Sequence, residues 1–119
     1  MRWVLAVIGL LVLGVPPMVA RPFVFYRAVV NGASFLPPAL PNGAIGRGSI
    51  FSLFGRDLGP AVGVSAPALP LQTTLAGVSI EVCQGTSPCV TALPLFVSAG
   101  QINAIMPSNA PLGAVNVRV

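Results

Sequence analysis

Short runs of apolar residues, each closed by glycine, proline or asparagine, follow one another along the chain after residue 20. Residues 23–30 are rich in β-branched and aromatic side chains, and residues 78–83 and 114–119 alternate between apolar and other residues with a period of two. These runs predict β-strands, because successive strand side chains point to opposite faces. Residues 48–54 have few polar interruptions and predict a strand buried on both faces. The predicted strands span residues 23–30, 48–54, 78–83, 93–97, 101–106 and 114–119.

The connections between these runs indicate how the strands are arranged. Thirteen glycines and thirteen prolines punctuate the chain, and long helices are excluded after residue 20 because an interior proline breaks a helix. Turns are predicted at Asn31-Gly32 and at residues 55–60, 84–88 and 98–100. The long connection over residues 61–74 suits a crossing between two sheets. Six or seven short strands at this spacing predict an all-β sandwich rather than a meander.

The first twenty residues have a different character. Arg2 is a short positive region, residues 3–15 form a thirteen-residue apolar core, and Pro16-Pro17 is followed by Met18-Val19-Ala20. These are the parts of a secretory signal peptide, with a helix in its apolar core and cleavage near Arg21. The alternative is an uncleaved anchor, because eighteen uncharged residues lie at the lower edge of membrane-spanning length. Both interpretations place residues 21–119 outside the cytoplasm, in the periplasm, at the cell surface or in the medium.

The length and charge of the chain limit the classes of function that are open to it. A chain of 119 residues provides one ordinary domain. Only 7% of its residues are charged, against about 25% in typical soluble domains. Its six arginines are scattered and no lysine is present, so the basic stripe of a nucleic-acid-binding protein is missing.

Four ordered motifs resemble a known family. They are VVNGASF at 29–35, GSIFSLFG at 48–55, PLQTTLAGV at 70–78 and LFVSAGQIN at 95–103. Together they are similar to the uncharacterised Solibacter-type C-terminal domain family of bacterial exported proteins, itself related to IPT/TIG immunoglobulin-like domains. Gln72 replaces a proline of the family pattern. The resemblance covers roughly residues 28–119.

The resemblance implies an immunoglobulin-like (IPT/TIG-like) sandwich on a secreted or surface protein, without implying a defined activity. It also implies a further strand after residues 114–119, with a second similar half beyond it. Residues 21–119 are therefore expected to be the first half of a longer family domain that lacks its last strand. A sheet edge left open in this way favours self-association by strand pairing.

No catalytic, cofactor or metal site is predicted. The chain contains no histidine or lysine, which excludes histidine-activated nucleophiles and Schiff-base chemistry. Asp57 and Glu81 are the only acids, and nothing in the sequence places them together for glycoside hydrolysis or calcium binding. Asp57 is expected to bond backbone amides in its turn, and Glu81 to face solvent on its strand.

Cys83 and Cys89 flank the QGTSP turn. In an exported protein this arrangement predicts a disulfide rather than free thiols, because a metal site would require two further ligands. The bridge would close a ring of about seven residues and contribute roughly 2 kcal/mol.

Two side-chain amides are weaker candidates for a sugar-binding site. Gln101 and Asn103 could contact a sugar, although the simpler interpretation is that they hydrogen-bond the adjoining turn backbone. Phe51, Phe54 and Phe96 are expected in the core rather than in a sugar-stacking platform.

The sequence thus predicts a non-enzymatic extracellular structural, adhesion or spacer module, and the alternative is a glycan- or ligand-binding accessory module of an exported enzyme. The expected partners are other extracellular domains, a second copy or a polysaccharide.

Overall fold

The computed structural model describes residues 21–119, and the predicted leader at residues 1–20 lies outside them. The described chain forms eight β-strands and no helix, so the all-β prediction is confirmed. The strands are β1 (Phe23–Asn31), β2 (Ile50–Arg56), β3 (Val64–Ser65), β4 (Glu81–Cys83), β5 (Val90–Thr91), β6 (Leu93–Val97), β7 (Gln101–Ile105) and β8 (Asn116–Arg118).

The strands form two antiparallel sheets, consistent with the predicted sandwich. Five strands make the larger sheet in the order β1-β2-β7-β6-β3, and three make the smaller one in the order β5-β4-β8. Consecutive strands change sheet between β3 and β4, between β5 and β6 and between β7 and β8. The connection at residues 66–80, which contains residues 66–74 of the predicted crossing, does join the two sheets. Length alone does not decide this, because residues 32–49 join β1 to β2 within the larger sheet and the crossing from β5 to β6 uses only Ala92.

The centre of the larger sheet contributes four fully buried residues to the core. β2 and β7 pair over five residues each, and alternate positions of both strands point into the sandwich. Phe51 and Leu53 of β2 and Ile102 and Ala104 of β7 are fully buried. Ser52, on the other face of β2, is also buried, which confirms that the middle of this strand is covered on both sides.

The smaller sheet closes the core with fewer residues. Val82 of β4 is fully buried, as are Ile80 and Ala92 beside the strands. All three belong to the same hydrophobic cluster as the core residues of the larger sheet. One continuous core therefore lies between the sheets.

The bounds of five of the six predicted strands differ from the prediction by one to three residues, and β8 covers only Asn116–Arg118 of the predicted 114–119. β2 begins at Ile50 rather than at residue 48, because Gly48 adopts a φ of +76° in a turn. β4 covers only the second half of residues 78–83, since Leu75 and Val78 bond each other across a tight turn whose Gly77 also has positive φ. Two further strands, β3 and β5, were not predicted. Each has two residues, too few to show a period.

A candidate interaction groove between the two sheets

The Cys83–Cys89 disulfide lies at the end of the smaller sheet, as predicted. It joins the end of β4 to the residue before β5, with the two Cα atoms 4.4 Å apart. A carboxylate oxygen of Glu81 and the two sulfurs lie within 4.8 Å of one another. Because the sulfurs are bonded to each other, they offer no thiolates to a metal.

The two acids lie in different parts of the fold. Glu81 lies on β4 directly opposite Arg118 of β8, and Arg118 Nη2 is 2.7 Å from a carboxylate oxygen of Glu81. Glu81 is thus paired, where the sequence predicted only a solvated residue. Asp57 follows β2 with a φ of 53°, a conformation that aspartate tolerates better than most residues. Among the described residues its carboxylate accepts no hydrogen bond, so the predicted bonds to turn amides are not formed.

Gln101 and Asn103 do not bond the turn backbone through their side chains, and that prediction is wrong. The Gln101 amide donates to Asn103 Oδ1 at 3.0 Å, and the Ser52 hydroxyl donates to the same oxygen at 2.8 Å. Their strand positions explain this, because Ser52 and Asn103 lie directly opposite each other in the β2–β7 ladder. Of the three phenylalanines expected in the core, Phe51 is fully buried, whereas Phe54 and Phe96 are half-buried.

A groove of about 430 Å³ opens between the two sheets at the β1 and β8 edges. Two walls line it, the middle of β1 and the segment from residue 110 to 117. The rest of the lining comes from Pro38, Ile45, Arg47 and Met106. The apolar side chains of this groove include Val29, Val115 and Val117, which pack against the core while staying only half-buried. This volume lies within the range of about 300–1,000 Å³ that is usual for ligand sites.

A bulge in β1 forms one wall. β1 pairs with β2 at Val24 and again at Val29, but the partner strand advances only from Gly55 to Leu53. The four residues 25–28 therefore have no partner in the ladder, and Arg27 takes a left-handed φ of 55°. Bulges of this kind bend a strand and re-aim its side chains. Here Phe25 and Arg27 line the groove.

The groove is basic. Arg27 and Arg47 both line it, and the lining contains no acidic residue. Arg47 Nε donates to the carbonyl oxygen of Ala110 at 2.7 Å, across a sequence separation of 63 residues. This bond orients the guanidinium in the groove lining, because the planar guanidinium then holds its other N–H groups in a defined direction.

Gln84 fixes the opposite wall. Its amide nitrogen donates to the carbonyl oxygens of Leu112 and Ala114, at 2.8 and 3.1 Å. The turn that the disulfide closes thereby holds the segment that enters β8. One feature of the sequence indicates this groove: residues 114–119 alternate cleanly, and Val115, Val117 and Val119 share the inner face. The convergence of β1, Arg47 and β8 depends on contacts between residues distant in the chain.

No family model, curated protein or solved structure matches the chain. Within residues 21–119 the structure contains no helix of the length and apolar character that crossing a membrane requires.

Proposed function

We propose that the chain is a non-enzymatic extracellular module that serves as an adhesion or structural unit of a bacterial exported protein. Its sandwich would be of the immunoglobulin-like, IPT/TIG-like kind, exported by the leader at residues 1–20. The groove between β1 and β8 carries this proposal. It joins an apolar floor to two arginines and lies where two strand edges are open, and such surfaces are typical of interaction sites.

The chemistry of the polar groups agrees with this assignment. Glu81 is engaged with Arg118, and Asp57 sits in the turn after β2 on the other sheet. An acid and a base facing one substrate atom, which general acid–base catalysis requires, are thus not assembled by these two carboxylates. The disulfide suits an oxidising compartment, where such bridges persist.

Adhesion by cells that display the full chain tests this function. Cells that display an unrelated immunoglobulin-like domain of similar size serve as the control. We expect the displayed chain to raise retention on a surface coated with exported bacterial proteins, and we expect the purified chain to show no turnover in a broad hydrolase screen. Equal retention of both cell types would contradict the adhesion role, as would turnover that Asp57→Asn or Glu81→Gln abolishes.

The second candidate is a glycan- or ligand-binding accessory module. The volume of the groove favours it, and so do the exposed aromatic side chains of β1, among which Tyr26 is 87% exposed and Phe23 49% exposed. Affinity electrophoresis over a panel of polysaccharides distinguishes the two functions. Saturable retardation by one polysaccharide, reversed by its free oligosaccharide, would support the accessory module.

A further inference from the structure

We propose that the groove binds one extended, acidic segment of another polypeptide, which adds as a strand to the free edge of β8. This inference rests on the proposed adhesion function and names the chemistry of its partner. Three observations carry it: the unpaired backbone of the two edges, the spacing of the half-buried valines and the charge of the groove.

The outer backbone groups of β8 are available for pairing. β8 is bonded on one side to β4, and in an antiparallel pair alternate residues direct their N–H and C=O groups away from the partner. Outside this pairing, residues 111–119 form no backbone–backbone hydrogen bond with any described residue. Across the groove, residues 25–28 likewise have no ladder partner. The carbonyl oxygens of Leu112 and Ala114 already accept hydrogen bonds from the Gln84 amide, so an extended segment would pair with the outward backbone groups of β8 itself.

The apolar floor suits a strand with alternating side chains. Val115 and Val117 lie two residues apart on the inner face of the β8 segment, and both are half-buried. Val29 and Ile45 pack against the core and also line the groove. An incoming strand would direct every second side chain into this space and leave the others in solvent. The incoming side chains would cover the exposed surface of Val29, Ile45, Val115 and Val117.

The charge of the groove favours an acidic partner over a second copy. Arg27 and Arg47 line the groove without a carboxylate nearby, so an acidic segment would bring the complementary charge. The chain itself has two acids: Glu81 lies on the central strand β4 and is paired with Arg118, and Asp57 is in a turn. Neither lies on the β1 or β8 edge, so a second copy would not offer an acidic strand to the groove.

Two capped hexapeptides test the proposal on the exported, isotope-labelled full chain. One has the sequence Glu-Val-Thr-Val-Ser-Glu, and the other has lysine in place of both glutamates. We expect the acidic peptide to shift the amide resonances of residues 25–28 and 114–118 and to slow hydrogen exchange in β8. The double variant Arg27→Gln/Arg47→Gln should weaken this binding by about fivefold to tenfold, as two partly exposed ion pairs would.

The matched control is Arg56→Gln, because Arg56 lies on β2 over the ring of Phe23 and does not line the groove. It should change the affinity by less than about twofold. Arg27→Gln alone serves as the second variant if loss of the Arg47–Ala110 bond disturbs folding, since Arg27 is exposed.

Four results would overturn strand addition. Equal binding of the acidic and basic peptides would remove the charge argument. Binding of decanoate in place of the acidic peptide would make the groove a small-molecule site. Concentration-dependent shifts in β8 without peptide would identify a second copy as the occupant. Absence of peptide binding together with retained cell adhesion would overturn this inference alone, whereas absence of both would overturn the proposed function as well.

Discussion

The two sheets of the sandwich are stabilised in different ways. In the larger sheet, β2 and β7 pair over five residues and contribute four fully buried side chains. In the smaller sheet, no strand exceeds three residues, and Val82 is its one fully buried strand residue. The smaller sheet is instead tied by the Cys83–Cys89 disulfide, the two bonds of the Gln84 amide and the Glu81–Arg118 ion pair.

This difference explains where an interaction site could form. A sheet that depends on packing must keep its neighbours close, because a void beside a buried side chain costs stability. A sheet that is tied by cross-links can keep an edge open and half-covered valines facing a groove. The groove lies on the β8 edge of the cross-linked sheet, opposite the bulge of β1 where the β1–β2 ladder is interrupted.

The largest effect should come from a truncation in the packed sheet. Leu53 is fully buried on β2. Leu53→Ala should lower the free energy of unfolding by about 3 kcal/mol, because it removes buried methyl groups and leaves a cavity. Urea denaturation of the purified chain, followed by circular dichroism, measures the change.

Val117→Ala is the matched truncation on the other sheet. Val117 is half-buried beside an open groove, so the substitution should cost about 1 kcal/mol or less. Equal losses for the two variants would show that the β8 side is packed as tightly as the centre of the larger sheet, and would contradict the comparison.

The next largest effect should come from the disulfide. Cys83→Ser/Cys89→Ser should lower the free energy of unfolding by about 2 kcal/mol, because the unfolded chain regains the freedom of a closed loop of about seven residues. Hydrogen exchange should accelerate first in β4 and β8 and only later in β2 and β7. Uniform acceleration across both sheets would show that the bridge stabilises the whole sandwich and not the smaller sheet in particular.

The sequence predicted the packed sheet better than the cross-linked one, for a physical reason. β6 was predicted with its observed bounds, and β7 within one residue, because their burial is visible in the local run of apolar residues. In residues 78–83 the predicted alternation of burial is present, with Ile80 and Val82 buried. Only residues 81–83 of this run, which form β4, pair with neighbouring strands. Alternation reports which side a residue faces, whereas pairing depends on a partner distant in the chain.

The candidate site shows the same limit. The disulfide could be predicted, since two cysteines flanking one turn meet through local geometry alone. The groove could not, because the bulge in β1 leaves no mark in residues 23–30 that distinguishes it from a regular strand. Arg47 lines the groove and donates a hydrogen bond there to Ala110, which is 63 residues away in the sequence. The resemblance stated for the four sequence motifs implies a sandwich but does not locate this edge.

The smallest expected effect concerns the ion pair that ties β4 to β8. Arg118 and Glu81 lie opposite each other, with side chains 68% and 39% exposed, and pairs exposed to water contribute little because the solvent screens them. Arg118→Gln should therefore cost about 0.5 kcal/mol, and a double-mutant cycle with Glu81→Gln should give a coupling of similar size that falls as salt is added. The cycle is measured by urea denaturation at low and high salt.

Arg118 Nη2 also lies 3.7 Å from Cys89 Sγ, so the double-mutant cycle is repeated in the variant Cys83→Ser/Cys89→Ser. Coupling that survives high salt, or exceeds the loss caused by removing the disulfide, would show that this pair and not the bridge holds the smaller sheet together.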